Sequence, residues 1–372
     1  MTWVISVLAF LLLLTVLILL HEFGHFWMAR KAGVTVEEFG FGLPPRFMTV
    51  FRQKGTAFTI NWIPFGGFVR LKGENAETDS ERRAPGSFSR AGILARCAVL
   101  LAGVFMNFLF ATIIFLYGFS AGHWIPTYVS FEEMREAAAQ GEIHFVPGVV
   151  IDQVMPGGTA LAAGVKAGVV LVKVDGKPVT LPSDVSKLQE GKTKVTYTFL
   201  AKPGATKEEK ITVPVSGGKT GVGLRPYALE LSAPSRSLWQ AFMLSLREAK
   251  VMTVQTVIGL GRLFLSLTQH ARVPEGITGI VGIAQLTHES VQEGLSTYLR
   301  LVALLSLSLA VLNVLPFPAL DGGRLLFVLL EAVLRRPLNR RFETTTNAVG
   351  FIVLILLIVI ITYNDVIHLF WN

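Results

Sequence analysis

The sequence predicts an α-helical polytopic membrane protein with about four transmembrane helices, a membrane-associated β-hairpin region and an inserted α+β domain. Three observations support this fold class. The 372 residues are 51% hydrophobic and only 16% charged, whereas soluble proteins carry about 25% charged residues. Four apolar stretches reach the length of about twenty residues that a helix needs to cross a bilayer. A long and more polar segment separates the second stretch from the third.

The first predicted span runs from Thr2 to about Met28, and the charges that follow it indicate its orientation. Residues 30–92 are rich in Arg and Lys, and basic loops stay on the cytoplasmic side of a membrane. We therefore expect the N-terminus outside and residues 30–92 in the cytoplasm. Residues 1–20 are not expected to be a cleaved signal peptide, because no basic residue precedes the apolar run and no small-residue cleavage site follows it.

A β-hairpin is predicted within this basic segment. Residues 47–51 and 57–62 have the aromatic and β-branched composition of strands, and Lys54-Gly55 predicts the turn between them. Because strands this apolar are unusual in free solution, we expect the hairpin to lie at the membrane interface near the active site. A second span, Ile93 to Phe119, then returns the chain to the outside.

The rest of the chain alternates between polar and apolar segments. Residues 237–268 are apolar but carry several charges, and a crossing there would put Asp321 and His21 on opposite membrane faces. This segment is therefore predicted to be an amphipathic helix on the outer surface. The predicted domains are 1–120 with the first two spans and the hairpin, 121–236 as the extracytoplasmic α+β domain, 237–295 as the surface-helix region, and 296–372 with spans at Tyr298–Leu315 and Asn347–Leu369.

A metal-binding motif ends the first apolar run. His21-Glu22-Phe23-Gly24-His25 places two imidazoles four residues apart on one helix face, where both can bind one Zn²⁺ and the intervening Glu can act as a general base. Ionisable side chains at membrane depth are costly and are therefore candidates for function. Cys97 is the only cysteine, so a zinc site here would use His and carboxylate ligands.

Asp321 is the best candidate for a third ligand. Pro316 and Pro318 precede it and cannot both lie in a regular helix, while Gly322 and Gly323 allow a tight turn after it. Broken backbone at membrane depth persists only when it is buried in protein or lines a polar cavity. Since Asp321 lies about as far along the third span as His21 lies along the first, the two residues are predicted to meet.

The polar insert is predicted to contain strands at 148–154, 169–174, 194–200 and 210–215, with short helices at 159–163 and 183–188. This pattern resembles a bacterial PDZ domain, a module that binds extended peptides or chain ends by adding a strand to its sheet. It departs from that module at Gly168-Val169, where a Gly-Asp pair is usual. The alternative is a small β-rich domain that only covers the active site from outside.

The motifs together resemble the site-2 protease family of intramembrane zinc metallopeptidases, in its bacterial branch similar to the regulator of sigma-E protease, with a single PDZ domain. The resemblance rests on HEFGH, on LDGG after Asn-x-x-Pro-x-Pro, and on the segments 39–46, 64–69 and 282–285. It implies that His21, His25 and Asp321 bind Zn²⁺, that Glu22 is the catalytic base, and that Asn313 contacts substrate. Two departures are Val104 after Gly103, where the family often has Pro, and Arg324 after LDGG, where a His is common.

The resemblance also implies a function and a location. The expected activity is hydrolysis of peptide bonds within transmembrane segments of single-span proteins already cut outside, such as an anti-sigma factor or a remnant signal peptide, in regulated intramembrane proteolysis. The strands at 47–62, with Asn313, are expected to pair with the unwound substrate. The expected location is the bacterial inner membrane, with the PDZ-like domain extracytoplasmic. A peptide ligand of that domain and the lipid bilayer are expected partners. Nucleic acid is not, because the basic residues lie beside the spans.

Two alternatives compete with a protease. A metal transporter would need further ionisable residues inside the other spans, and 93–119 and 347–369 offer almost none. A proteolytically inactive membrane scaffold that binds clients through its PDZ-like domain would have no use for a base, and Glu22 is intact. The sequence therefore favours the protease.

Overall fold

The computed structural model describes residues 2–74, 76, 78–201, 205, 207–270, 272–274 and 276–371. The chain forms two compact units. One comprises Met1–Gly122 together with Ser237–Asn372, and the other comprises His123–Arg236. The first unit consists of long apolar helices and one β-sheet and contains the candidate site. The second is an α+β unit.

Five long helices dominate the first unit. They are α1 (Thr2–Lys31), α3 (Ile93–Ser120), α7 (Leu238–His270), α9 (Leu295–Val314) and α11 (Arg340–Trp371). Shorter helices are α2 (Asp79–Arg83), α8 (Ile280–Glu293) and α10 (Asp321–Leu334). Each of the five long helices has the length and apolar composition needed to cross a membrane. These helices make the chain a multi-pass membrane protein.

The structure gives α7 a mixed character. Its first half is packed, because Ala241, Ser245 and Ala249 are buried and α7 contacts both α3 and α9. Glu248 on the same face is also buried, with its carboxylate 3.4 Å from the Arg300 guanidinium of α9. Its length and composition would also allow α7 to cross the membrane, so the count of four spans stays a prediction.

Small residues bring α1, α3 and α9 close together. A methyl group added at Gly24 of α1 would lie 2.4 Å from the carbonyl oxygen of Ala102 in α3, a distance that side-chain carbons do not tolerate. From α9, the Ser306 hydroxyl donates a hydrogen bond of 2.9 Å to the carbonyl of Asn107 in α3. Close helix approach of this kind is typical of membrane bundles, where small residues replace the hydrophobic effect as the basis for packing.

A β-sheet follows α1. It is formed by two long strands, β1 (Val36–Gln53) and β2 (Thr56–Leu71), with the predicted turn confirmed at Lys54-Gly55. Both strands bend, so residues 36–41 pair with 67–71 on one side and with 57–60 on the other. Residues 46–53 pair with the outer side of 56–61. The sheet is therefore larger than the predicted hairpin, which covered only its tip.

Glu38 stabilises this folded sheet from inside. Its carboxylate is almost fully buried and lies 2.6 Å from Arg46 and 3.2 Å from Arg70, while the Thr59 hydroxyl donates to it at 2.8 Å. Burial alone would raise the pKa of Glu38, but the hydrogen bonds from Arg46 and Thr59 and the charges of both arginines hold that pKa below its ordinary value. Three segments of β1 and β2 are thus tied to one carboxylate.

The second unit contains a six-stranded antiparallel sheet and short helices. Its elements are α4 (Phe131–Ala139), β3 (His144–Val154), α5 (Thr159–Ala162), β4 (Val170–Val174), β5 (Lys177–Pro178), α6 (Pro182–Gln189), β6 (Lys194–Leu200), β7 (Glu208–Pro214) and β8 (Val222–Ser232). The sheet order is β7-β6-β4-β3-β8, with β5 paired to β4. The sequence indicated the other strands and helices from 148 to 215 but missed α4, β5 and β8.

The orientation of α7 can be tested by cysteine labelling after Cys97 is replaced. The four-span prediction expects single cysteines at Gln269, after α7, and at Ser216 to react with an impermeant reagent from the outside, while one at Ser80 reacts only from the cytoplasm. All three positions are exposed. Labelling of Gln269 from the cytoplasmic side would show that α7 crosses the membrane.

Candidate metal centre

Three side chains from opposite ends of the chain meet in the first unit. Nε2 of His21 and Nε2 of His25 lie 2.9 Å and 3.1 Å from Oδ2 of Asp321, and the two imidazole nitrogens lie 3.1 Å from each other. Both histidines are buried, and the Asp321 side chain is 18% exposed. The sequence-predicted ligands therefore form one compact group of donor atoms.

The helix α1 positions the two histidines. Residues four apart on a helix lie on the same face, which aims both rings at α3 and α10. The Nδ1 atom of His25 donates a hydrogen bond of 2.8 Å to the Val99 carbonyl of α3, which fixes that ring and leaves Nε2 toward Asp321. The Nδ1 atom of His21 is buried and has no hydrogen-bond partner among the described residues.

The helix break before Asp321 is confirmed, and the tight turn that Gly322 and Gly323 would allow after it is not formed. Residues 315–320 are not helical, and α10 then begins at Asp321 itself. Gly322 and Gly323 lie in the first turn of α10. A methyl group added at Gly322 would lie 2.1 Å from the Leu315 carbonyl oxygen, and one at Gly323 would lie 2.3 Å from that of Phe317. The glycines thus let α10 pack against the end of α9.

Residues of α11 hold this break in place. The side-chain oxygen of Asn347 accepts a hydrogen bond of 3.2 Å from the amide of Ala319, a residue with φ of 75°. A methyl group added at Gly350 would lie 2.5 Å from the Cβ of Pro318. Neither contact was predicted from the sequence, because no motif in α11 indicates them before the helices pack together.

A glycine of α3 forms one wall of the site. A methyl group added at Gly103 would lie 2.5 Å from Nε2 of His25 and 2.9 Å from Nδ1 of His21. Val104 stands where the family often has Pro, but this does not affect the contact, because Gly103 itself faces the imidazoles. Gly103 therefore matters to the site through the space that it leaves.

Glu22, the predicted base, lies at the same place. The charges of His21, His25 and Asp321, and also of Glu74, act on its carboxylate. A methyl group added at Gly67 of β2 would lie 3.6 Å from Cγ of Glu22. Asn313 is half-buried in the last turn of α9, just before the non-helical segment 315–320.

An ion pair near the site was not predicted from sequence. The guanidinium of Arg324, three residues after Asp321, is paired with the carboxylate of Glu74, which follows β2. Arg324 is the position at which the chain departs from the resemblance. The pair joins the helix that carries Asp321 to the loop that leaves the sheet, and so couples two parts of the site.

The donor set fits a zinc ion. Two imidazole nitrogens and one carboxylate oxygen are common ligands of catalytic Zn²⁺, and tetrahedral ligands at about 2.0–2.1 Å from one ion lie about 3.3 Å apart. The three donor atoms are separated by 2.9–3.1 Å. Small outward shifts would therefore accommodate an ion.

Comparison with known proteins agrees with this geometry. Residues 9–357 match Peptidase family M50. A Clostridium perfringens protein named "putative zinc metalloprotease" is 31% identical over 363 residues, covering 96% of this chain and 97% of its own. A Fusobacterium nucleatum protein with the same description is 30% identical over the full length of both chains. Zinc metalloprotease RasP of Geobacillus kaustophilus is 26% identical, with 97% of each chain covered.

The chain belongs to Peptidase family M50, because the family match spans nearly its whole length. This membership confirms the family that the sequence motifs indicated and makes the protein a metallopeptidase, while the bacterial branch and the single PDZ domain stay predictions.

The close approach at Gly103 predicts a loss of stability on Gly103→Ala. We expect the free energy of unfolding in detergent to fall by about 1–3 kcal/mol, because the added methyl group forces two buried imidazoles to move. Gly261→Ala in α7 is the control. Nothing lies within 4 Å of a methyl group there, so the change should be neutral or stabilise the helix by up to about 1 kcal/mol. Equal stability of Gly103→Ala and wild type would contradict the packing described.

Proposed function

We propose that this protein is an intramembrane zinc metalloprotease in which His21, His25 and Asp321 bind Zn²⁺ and Glu22 is the catalytic base. The observation that carries the proposal is the meeting of these side chains inside a bundle of apolar helices. His21 is nineteen residues from the start of α1, or about 29 Å along the helix axis. The names of the relatives support zinc as the metal.

Each residue of the site has a distinct task in peptide hydrolysis. Zinc, when bound, supplies a Lewis acid that polarises the peptide carbonyl and makes water more acidic. Glu22 takes the proton of the attacking water and later gives it to the nitrogen of the leaving amine. The hydrogen bond to Val99 keeps His25 oriented, and Asn313 is positioned at the end of α9 to contact substrate near the scissile bond.

The substrate backbone must be unwound, because a helix keeps its carbonyls in hydrogen bonds. We propose that the unwound segment pairs with residues 67–71 of β2 and not with the strands at 47–62. Residues 67–71 pair with 36–41 on one side, and no described strand covers the other side. This edge also starts at Gly67, beside Glu22. Residues 57–60 are covered on both sides, and 46–53 form the opposite edge.

The proposed substrates are single-span membrane proteins that have already been trimmed outside, such as an anti-sigma factor or a remnant signal peptide. Regulated intramembrane proteolysis in the bacterial inner membrane would be the setting, with four spans and unit His123–Arg236 extracytoplasmic. We propose that this unit is PDZ-like. In its support, β8 is an end strand of the sheet and contacts α6, an arrangement that can take up an extended peptide by strand addition.

The role of Glu22 predicts that Glu22→Gln keeps the metal but loses cleavage. We expect about one zinc per chain in both proteins and a cleavage rate of a model transmembrane segment at least 10²–10⁴-fold lower in the variant, since a general base contributes about this much. Glu37→Gln, which changes an exposed carboxylate of β1, should cleave like wild type. A proteolytically inactive scaffold would show no cleavage in any of the three proteins, and near wild-type cleavage by Glu22→Gln would exclude the proposed mechanism.

The role of Asp321 predicts a loss of zinc affinity on Asp321→Asn. We expect the apparent dissociation constant for zinc, measured by competition with a chelator, to rise by more than 10–100-fold. That range is typical when a residue that only hydrogen-bonds to a metal ligand is replaced. Asp365→Asn is a matched control, because Asp365 is also buried in the helical unit but accepts hydrogen bonds from the amides of Gly279 and Gly282. Full zinc occupancy in Asp321→Asn would remove it from the ligand set.

A further inference from the structure

The two histidines of the metal centre differ in their second nitrogen. Nδ1 of His25 has a carbonyl partner in Val99, whereas Nδ1 of His21 is buried without a partner among the described residues. Metal-binding histidines almost always donate the second ring N–H to a carboxylate, a carbonyl or a water, which fixes the tautomer and orients the ring. His21 therefore needs an acceptor that lies beside it.

Asn107 of α3 is a second buried polar group in need of partners. The residue is 0% exposed, and neither Oδ1 nor Nδ2 of its amide has a hydrogen-bond partner within the described part of the chain. The Ser306 hydroxyl bonds to its backbone carbonyl and not to the amide. A buried amide without hydrogen bonds is strongly disfavoured, so we expect a polar group to supply hydrogen bonds to the Asn107 amide.

The helix geometry brings these two groups toward each other. Asn107 follows Gly103 by four residues, so both lie on one face of α3 with Cβ positions about 5–6 Å apart. A Cβ at Gly103 would lie 2.9 Å from Nδ1 of His21. Side chains on a helix lean toward its N-terminus, which directs the Asn107 amide back toward the level of Gly103 and the His21 ring.

We infer that Asn107 is a positioning residue for the metal centre, whose side-chain oxygen receives the hydrogen bond of His21 Nδ1–H through one buried water. The amide completes the water's hydrogen bonds and keeps the His21 ring in the tautomer that presents Nε2 to the metal. Gly103 and Asn107 then act as a pair, because the first makes room for the ring and the second orients it. The inference rests on the proposed zinc site.

Asn107→Leu tests this role in the full-length chain. Leucine has a similar volume and no acceptor, so we expect the apparent dissociation constant for zinc, measured against a chelator, to rise by about 10–100-fold. The visible absorption spectrum of the Co²⁺-substituted protein should also change. Asn107→Asp, which retains an acceptor, should bind zinc at least as tightly as wild type.

Two controls separate this role from packing. Ser306→Ala removes the contact to the Asn107 backbone but leaves the amide. Thr112→Val removes a buried hydroxyl of α3 that, among the described residues, bonds to its own helix at Phe108. Both should bind zinc within about twofold of wild type. Wild-type zinc affinity in Asn107→Leu, or equal losses in Asn107→Leu and Asn107→Asp, would overturn the inference.

A zinc-bound experimental structure of the wild type gives the same test without a variant that could fail to fold. The expected result is one water between Nδ1 of His21 and the Asn107 amide, and a different acceptor for Nδ1 would overturn the inference. If wild type binds no zinc, or Asp321→Asn binds it fully, the proposed zinc site fails. If those results hold and only the Asn107 variants behave like wild type, the inference alone fails.

Discussion

The structure depends on the approach of one carboxylate to two imidazoles inside an apolar helical bundle. An acid or an imidazole at this depth is costly by itself, and Asp321 relieves that cost by lying about 3 Å from both histidines. The residues are separated by three hundred positions in the chain, so α1 and α10 must be held together by the rest of the bundle. Glycines permit this approach. Gly103 leaves space for the imidazoles, while Gly322 and Gly323 let the first turn of α10 pack against the broken end of α9.

The sheet is part of the same arrangement. Its edge at Gly67 lies beside Glu22, and the loop that leaves the sheet carries Glu74, which pairs with Arg324 of α10. Two contacts therefore link the sheet to the site. Gly67 lies beside the proposed base Glu22, and Glu74 pairs with the helix that carries Asp321. A shift of the sheet would move the substrate edge relative to Glu22. The contacts of Glu38 tie three segments of the sheet to one carboxylate, so the sheet would move as one body.

Much of the site could be predicted from the sequence, because the signals were local. The His-x-x-x-His spacing encodes a helix face, and the prolines before Asp321 encode a break, whatever the rest of the fold does. The missed features are tertiary. The turn that Gly322-Gly323 would allow proved to be the start of a helix, since the same glycines serve close packing as well as turns. Asn347 and the Arg324–Glu74 pair carry no motif, and β8 and α4 are too weakly patterned to be distinguished from loops.

The central claim is that His21, His25 and Asp321 hold one zinc ion, and X-ray absorption at the zinc edge of the purified protein tests it most directly. The account predicts a first shell of nitrogen and oxygen at about 2.0–2.1 Å, with the outer-shell scattering of two imidazole rings. Sulfur at about 2.3 Å, or scattering from fewer than two imidazoles, would contradict it.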